Sequence, residues 1–401
     1  MIQKGALDGI RVIDVTTAVL GPLATRILGD LGADVVKVEA PEGDPMRGLG
    51  PSRHDRMAAM FLALNRNKRS VVLNLKDSAD RGALGELVAG SDVFVHNMRP
   101  EAARRLNIDY PAFSASNPRL IHASACAYAG DNPLANKPAY DEIVQGASGI
   151  ASLFERASGE ARYAPFVMAD KIVGHELAAA IVAALFARER TGQGQQVIVP
   201  MFETMVAFNF IEHLWGHVFD PPVEGTGYSR LFARERRPFR TQDGHICVAA
   251  TTDQQWMRLF KAIGRADLAD DERFATMARR TFHFAEAFEY LAAELAREST
   301  AYWSAVFEAA DLPYGPANSL EDLIEDDYLN RAGFFRRYEH PSEGSLVSVD
   351  PTTRFSGTPA RFTRPPPGLG EHTDIVFGEL RARFADAHPT NETNNNRGDE
   401  L

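Results

Sequence analysis

Asp170 is the side chain in this sequence whose position best suits it to chemistry. It directly precedes a segment in which apolar residues recur at steps of three and four between positions 172 and 186, and this spacing predicts a helix with one buried face. An aspartate at or near the N-cap meets unpaired backbone N–H groups and the positive end of the helix dipole, which favour its ionised form. Asp170 is therefore either a helix cap with only a structural role or a carboxylate that takes part in chemistry.

The two cysteines, Cys126 and Cys247, are weaker candidates for a role in chemistry. Two cysteines do not make a disulfide framework or a cysteine-based metal site. Neither stands in the local context of an activated thiol, so we interpret both as packing residues. No metal or permanently bound cofactor is expected.

Composition excludes several classes of protein. The chain has 401 residues, 45% of them hydrophobic, which suits two domains or one large domain with an insertion. With 43 basic and 54 acidic side chains the net charge is −11, which argues against a general nucleic-acid or membrane-surface binder but allows a local basic pocket for an anion. The longest strongly apolar run, Leu177–Ala187, is too short to span a bilayer. With no signal pattern at the N-terminus, we expect a soluble, cytoplasmic protein.

The elements that must position Asp170 begin with strand–helix units. Ile10–Val15 reads as a strand, Gly21-Pro22 as a turn, Leu23–Leu31 as a helix and Val35–Val38 as the next strand. Short links of this kind favour parallel strands with right-handed crossovers. We therefore predict an α/β protein with a Rossmann-like open parallel sheet.

A dinucleotide-binding enzyme is the second choice for this unit. Glu39 ends the second predicted strand, where such a fold places its ribose-binding acid. However, the first turn has no glycine fingerprint, and Pro22 lacks the N–H that a pyrophosphate could use.

Basic side chains are concentrated near two further predicted strands, Val71–Leu75 and Asp92–His96. They lie in the turn Asn65–Ser70 and at Arg99, Arg104 and Arg105. Ligands bind outside the carboxyl ends of the strands in open α/β sheets. These residues therefore form either an anion site or an ordinary solvated surface.

The later part of the chain predicts a second, smaller α+β domain. We place the large domain at 1–200, a linker helix at 201–227, the small domain at 228–318, a return linker at 319–350 and a closing segment of the large domain at 351–387. The tail 388–401 has no apolar content and is expected to be disordered. The basic segment Arg230–Arg240 is either a loop that faces an anionic ligand or a solvated linker.

Six motifs in this order resemble family III of the CoA-transferases, the CaiB/BaiF-like group that includes formyl-CoA transferase and carnitine CoA-transferase. They are Gly21–Asp44 (GPLATRILGDLGADVVKVEAPEGD), Leu64–Lys76 (LNRNKRSVVLNLK), Asn117–Gly130, Pro138–Gly149, Thr191–Glu203 and Leu369–Asp374. The resemblance covers nearly the whole chain, and it places Asp170 where the family has its nucleophile. It implies acyl-CoA and carboxylic acids as substrates, an aspartyl anhydride and an aspartyl-CoA thioester as intermediates, and an interlocked homodimer.

The resemblance also implies the remaining site residues. Tyr140 and Asp141 match a pair near the thioester. Contacts to CoA fall on Val19, Leu20, Leu73, Asn74, Leu75, Lys76, Asn97, Met98, Arg99 and Arg105. Lysine and arginine are suitable partners for the phosphates.

This sequence departs from the family at three places. Met98 stands where the family has an aromatic residue after the equivalent of Asn97. Val19 and Leu20 stand where some members have a glutamine near the thioester, so that side chain's role in stabilising an oxyanion is lost here. A glycine-rich loop of formyl-CoA transferases is missing between Arg234 and Gln255, so formyl-CoA and oxalate are not the expected substrates.

Two alternatives within the same resemblance are an α-methylacyl-CoA racemase and a non-catalytic acyl-CoA-binding protein. Racemases of this fold pair the aspartate with a histidine in a Gly-His-Asp sequence, where this chain has Ala139-Tyr140-Asp141. A tyrosine with a pKa near 10 is a poor base at neutral pH, which favours the transferase. A binding protein would leave Asp170 unused.

Overall fold

The computed structural model describes residues 4–130 and 132–387, which form two compact units. The large unit comprises 4–130, 132–144, 167–205 and 333–387, and the small unit comprises 145–166 and 206–332. The predicted tail, 388–401, lies outside the described residues. No helix within the described ranges combines the length and the apolarity that crossing a membrane requires.

The large unit is built on a six-stranded parallel sheet with the order β3-β2-β1-β4-β5-β6. Its strands are β1 (Arg11–Asp14), β2 (Asp34–Glu39), β3 (Lys68–Val72), β4 (Val93–His96), β5 (Ile121–Cys126) and β6 (Gln195–Pro200). This confirms the predicted open parallel α/β sheet. The order reverses between β1 and β4, so the loops that leave these two strands open a crevice at their carboxyl ends.

Helices cover this sheet, and a hairpin follows near the C-terminus. The helices are α1 (Leu20–Asp30), α2 (Ala59–Leu64), α3 (Ser78–Ala89), α4 (Pro100–Leu106), α5 (Tyr110–Ser114), α8 (Met168–Thr191) and α17 (Thr373–Ala387), and the hairpin pairs β10 (Phe335–His340) with β11 (Gly344–Val349). Helices α6 (Asp141–Ala147) and α9 (Met201–His213) each contain a boundary between the units.

Helices α1 and α8 pack at backbone distance. A Cβ built on Gly174 of α8 would lie 2.8 Å from the carbonyl oxygen of Leu20 and 3.2 Å from the side chain of Leu23. Only a glycine allows this approach without a shift of α1. The contact therefore fixes the start of α1 against the first turns of α8.

Two predicted elements differ from the structure. Helix α1 begins at Leu20, so Gly21 and Pro22 lie in its first turn rather than in a turn before it. Proline is tolerated there because the first N–H groups of a helix have no intrahelical partner. Strand β3 occupies Lys68–Val72 instead of Val71–Leu75, so part of the predicted basic turn is a buried strand.

The small unit combines helices with a three-stranded antiparallel sheet of order β7-β8-β9. Its elements are α7 (Ile150–Ser158), β7 (Phe239–Arg240), β8 (His245–Val248), α10 (Asp253–Ala262), α11 (Ala266–Ala269), α12 (Met277–Arg280), α13 (Phe284–Leu295), α14 (Thr300–Ala309), β9 (Tyr314–Pro316), α15 (Leu320–Ile324) and α16 (Asp327–Arg331). Buried aromatic side chains, among them Trp256, Phe260 and Phe284, form its core.

Candidate active site

A cavity of about 350 Å³ opens at the point where the strand order of the large sheet reverses. Its walls come from the loops after β1 and β4, the end of β5 and the segment that follows it, and the first turns of α8 and α9. The lining residues are Val15, Thr17, Ala18, Val19, Leu20, Asn97, Met98, Arg99, Ala102, Ala125, Cys126, Ala127, Lys137, Pro138, Ala139, Tyr140, Asp170 and Met201. Open α/β sheets bind their ligands at such a place.

The two loops at the reversal point are locked together by one amide. The side chain of Asn97 donates to the carbonyl oxygen of Thr17 at 2.8 Å and accepts from its N–H at 3.1 Å. Ala18 beside it has a φ of 66°, a left-handed conformation that a non-glycine residue adopts only when its surroundings enforce it.

A fully buried ion pair holds the loop that follows β1. Lys37 Nζ lies 2.8 Å from a carboxylate oxygen of Asp44, and neither side chain is exposed to solvent. Lys37 also donates to the carbonyl oxygen of Thr16 at 2.9 Å, and Asp44 accepts from the N–H of Ala18 at 3.3 Å. The pair thus holds the backbone on both sides of Thr17.

Asp170 is the third residue of α8. The N-cap of this helix is Val167, whose side chain makes no capping hydrogen bond. Within 4–130 and 132–387, the Asp170 carboxylate forms no hydrogen bond. Its backbone N–H instead donates to Oδ1 of Asp141 at 3.0 Å. Asp141 therefore provides the hydrogen-bond acceptor for an N–H in the first turn of α8. The carboxylate of Asp170 faces the cavity.

The pKa of Asp170 is raised from its ordinary value of 3.8 to about 7. Burial is the main cause, followed by the negative charges of Asp141 and Glu142. Burial and the two neighbouring carboxylates thus oppose the stabilisation of the charged form that the helix N-terminus predicts. A helix dipole contributes at most about 2 kcal/mol, less than burial beside two carboxylates costs.

The cavity brings together seven of the residues assigned to the site from the sequence: Val19, Leu20, Asn97, Met98, Arg99, Tyr140 and Asp170. Asp141 lies behind them, only 4% exposed. The other five, Leu73, Asn74, Leu75, Lys76 and Arg105, follow β3 or lie on α4 and do not line the cavity. Their contacts to CoA stay predictions.

Lys137 and Cys126 also line the cavity. Lys137 adds a second cation to the wall that contains Arg99; it was missed from the sequence, and its position directly before the motif Pro138–Gly149 is the signal that could have suggested it. Cys126 is buried, in agreement with its interpretation as a packing residue, and it also reaches the cavity wall, whereas Cys247 is exposed and does not fit that interpretation. Burial and the charge of Glu203 raise the pKa of the Cys126 thiol to about 11, and Sγ donates to the Tyr128 carbonyl oxygen, so the thiol stays protonated.

The carboxylate of Glu39 is already bound by side chains of the protein itself. Arg47 contacts both of its carboxylate oxygens, at 2.7 and 2.8 Å, and the Ser70 hydroxyl donates to it at 2.6 Å. With Glu39 only 4% exposed, it is not available to a ribose, which removes the basis of the dinucleotide alternative.

The basic segment around β3 is neither an anion site nor a solvated surface. Arg66 pairs with Asp30 at 2.7 Å, Lys68 with Asp14 at 3.1 Å and Arg69 with Asp34 at 2.6 Å. The three basic side chains are at most 6% exposed. Their ion pairs hold strands β1, β2 and β3 and helix α1 together.

Comparisons with known proteins agree on one family. The sequence profile of CoA-transferase family III matches residues 7–373. The chain is 31% identical to the succinyl-CoA:glutarate CoA-transferase of Mus musculus, over 93% of this chain and 86% of the mouse protein. It is 36% identical to the acetyl-CoA:oxalate CoA-transferase of Acetobacter aceti, over 80% and 82%. The crystal structure of Rv3272 from Mycobacterium tuberculosis superposes with a TM-score of 0.81 at 30% identity, over 93% of this chain and 99% of that one.

Proposed function

The chain belongs to CoA-transferase family III and is a CoA-transferase, and from this premise we propose that Asp170 is the carboxylate through which CoA passes from an acyl-CoA to a free carboxylic acid. The observation that carries the proposal is the Asp170 carboxylate itself. It forms no hydrogen bond within the described chain and faces a cavity that also contains the cations Arg99 and Lys137.

The proposed reaction proceeds through two covalent intermediates. The Asp170 carboxylate attacks the thioester carbonyl and expels the CoA thiolate, which gives a mixed anhydride. The thiolate then attacks the aspartyl carbonyl, forms aspartyl-CoA thioester and releases the donor acid. The acceptor carboxylate attacks this thioester, and the same two steps run in reverse. Cations that hold the nucleotide end of CoA keep the thiolate beside the anhydride, where effective molarities can reach about 10⁵–10⁸ M.

The start of α1 is our candidate for stabilising the negative oxygen that forms at the thioester carbon. The N–H groups of Leu20 and Gly21 are the first of this helix, and within the described residues neither has a partner. Preorganised N–H donors at a helix N-terminus lower the energy of such an oxygen. They take over the role that Val19 and Leu20 cannot perform through their side chains.

A pKa of about 7 suits a carboxylate nucleophile. Near neutral pH the free protein holds both the protonated and the ionised form of Asp170, and a carboxylate of higher basicity is the better nucleophile. Burial and the two neighbouring carboxylates therefore raise the reactivity of Asp170 while leaving enough of the charged form.

We propose a dicarboxylic or hydroxy acid as the acceptor and a donor such as succinyl-CoA. The support comes from the M. musculus and A. aceti relatives, whose names contain succinyl-CoA and the dicarboxylates glutarate and oxalate. Oxalate itself and formyl-CoA stay predicted non-substrates of this chain. A screen of donor and acceptor pairs, with CoA exchange followed by mass spectrometry, tests the function; no exchange with any pair would contradict it.

We also propose the interlocked homodimer, threaded through the linkers near 202–227 and 320–359. Large apolar side chains in these segments are exposed in the single chain, including Phe219 at 58% and Leu320 at 77%. Exposure of this kind is typical of a surface that a partner covers. Sedimentation at micromolar concentration tests it, and a stable 44.1 kDa monomer would contradict it.

A further inference from the structure

The small unit contains a cavity of its own, of about 550 Å³. Its inner wall is apolar, with the buried rings of Phe239 and Phe288 beside Val248 and Pro313. Its other side carries Arg230, Arg236 and Arg237. All of these residues belong to the small unit, and none contributes to the cavity around Asp170.

Two of the three arginines lack a counter-ion in the described chain. Arg237 pairs with Glu235 at 2.7 Å. No carboxylate of residues 4–130 or 132–387 forms an ion pair with Arg230 or Arg236, and Nε of Arg230 is buried without a partner. Burial and the charge of Arg230 lower the pKa of Arg236. Two guanidinium groups thus repel one another at a partly desolvated wall, in a chain of net charge −11.

We propose that this cavity binds an organic carboxylate, with Arg230 and Arg236 holding the carboxylate and the phenylalanine wall holding a short methylene chain. Guanidinium groups pair with carboxylates through two parallel hydrogen bonds. A bound anion would relieve the repulsion between the two cations. The apolar wall favours a carboxylic acid over inorganic phosphate, which has no apolar part to bury. The site is independent of the chemistry proposed for Asp170.

Cys247 provides a direct readout of occupancy. It lines this cavity and is exposed, whereas Cys126 is buried and its thiol stays protonated, so alkylation by iodoacetamide reports on Cys247. Glutarate, added without CoA to the full-length protein, should slow this alkylation. Inorganic phosphate at the same concentration should protect Cys247 far less. Equal protection by phosphate, or no protection by glutarate, would overturn the proposal.

Matched arginine variants locate the binding. Arg236→Gln and Arg230→Gln should each weaken the binding of glutarate, measured by calorimetry, by roughly tenfold or more, since each removes a charge-assisted contact. Arg234→Gln removes the same charge from the same exposed segment but outside the cavity, and its binding should equal that of the wild type. Equal losses in all three variants, or unchanged binding in Arg236→Gln and Arg230→Gln, would refute the site. Because no turnover is measured, failure of the transferase proposal would leave this result unchanged.

Discussion

Asp141 and Asp170 are joined by a hydrogen bond of 3.0 Å from the backbone N–H of Asp170 to Oδ1 of Asp141. Through this one contact Asp141 orients the first turn of α8 and sets a negative charge beside the candidate nucleophile. It therefore contributes to the raised pKa of Asp170, after burial and before Glu142.

Replacing this charge should move the pH dependence of the reaction. In the wild type, kcat/KM should rise with pH through a midpoint near 7, as Asp170 loses its proton in the free enzyme. Asp141→Asn keeps an oxygen to accept the N–H but removes the charge, so the midpoint should fall by about one unit. Glu142→Gln should cause a smaller shift. A midpoint that stays in place in Asp141→Asn would show that another group controls the rise.

Two neighbouring arginines on α4 test the CoA contacts that the resemblance implies. Arg104 and Arg105 are both exposed in the last turn of this helix, and only Arg105 is assigned to CoA. Arg105→Ala should raise KM for acyl-CoA about tenfold and leave kcat nearly unchanged, because a phosphate contact is lost equally in the ground and transition states. Arg104→Ala is the control and should behave as the wild type. Steady-state kinetics of both variants test this prediction. Equal increases of KM would indicate that either positive charge contributes in the same general way, without a specific contact from Arg105.

The buried pair under the first loop should matter far more than an exposed pair of similar length. Lys37→Met leaves Asp44 buried and uncompensated, and should lower the free energy of unfolding by about 3–5 kcal/mol. The Lys4–Asp8 pair has nearly the same separation, 3.0 Å, but Lys4 is 82% exposed. Lys4→Met should therefore cost less than about 1 kcal/mol. Urea unfolding of both variants measures the difference. Similar losses of unfolding free energy would mean that the buried pair stabilises the fold no more than the exposed pair does.

Gly174 should control the position of the α1 N-terminus. Gly174→Ala places a methyl group against the Leu20 carbonyl oxygen, so α1 must move away from α8 and kcat should fall, by roughly tenfold. Gly85 lies inside α3 with nothing near its Cβ position. Gly85→Ala should leave kcat unchanged and stabilise the fold by about 0.5–1 kcal/mol. An unchanged kcat in Gly174→Ala would show that the close contact between α1 and α8 does not contribute to catalysis.

The sequence was sufficient for the sheet but not for the electrostatics of the site. Alternation and turn residues around β1, α1 and β2 predict a βαβ unit, and the structure contains it. The charges near β3 were misplaced because a local pattern cannot show that Lys68 meets Asp14, 54 residues away. Ion pairing allowed these residues to enter the core, which composition alone would not suggest.

Asp170 shows the same limit at the site itself. Its place before a helix predicts the stabilisation of its charge by backbone N–H groups. Asp141, which opposes that effect, is 29 residues away in the sequence and is brought to it only by the fold. Lys137 was missed for a related reason, because only its position directly before the motif Pro138–Gly149, and nothing in the lysine itself, points to the cavity that it lines.

Replacing the nucleophile should separate activity from stability. Asp170→Asn keeps the size of the side chain but removes the carboxylate, so CoA transfer should fall by several orders of magnitude. Because the pKa of Asp170 rises from 3.8 to about 7 on folding, the native state holds its proton longer, and stability falls as pH increases across that range. The variant should therefore gain about 1–2 kcal/mol at pH 7, measured by urea unfolding. A loss of stability would point to a structural role for the carboxylate.

Trapping the intermediate distinguishes a transferase from a racemase. Wild type incubated with acyl-CoA should accumulate an adduct on Asp170 that hydroxylamine or borohydride traps and peptide mass spectrometry locates, whereas Asp170→Asn should show none. A racemase forms no such adduct and instead exchanges the α-proton with deuterated water through a pair of proton-transfer groups. Among the described residues that line the cavity there is no histidine, and Tyr140, in the position of the racemase histidine, is 74% exposed. Tyr140→Phe should accordingly lose far less activity than Asp170→Asn. Rapid incorporation of deuterium, without an adduct and without movement of CoA between acids, would overturn the transferase mechanism.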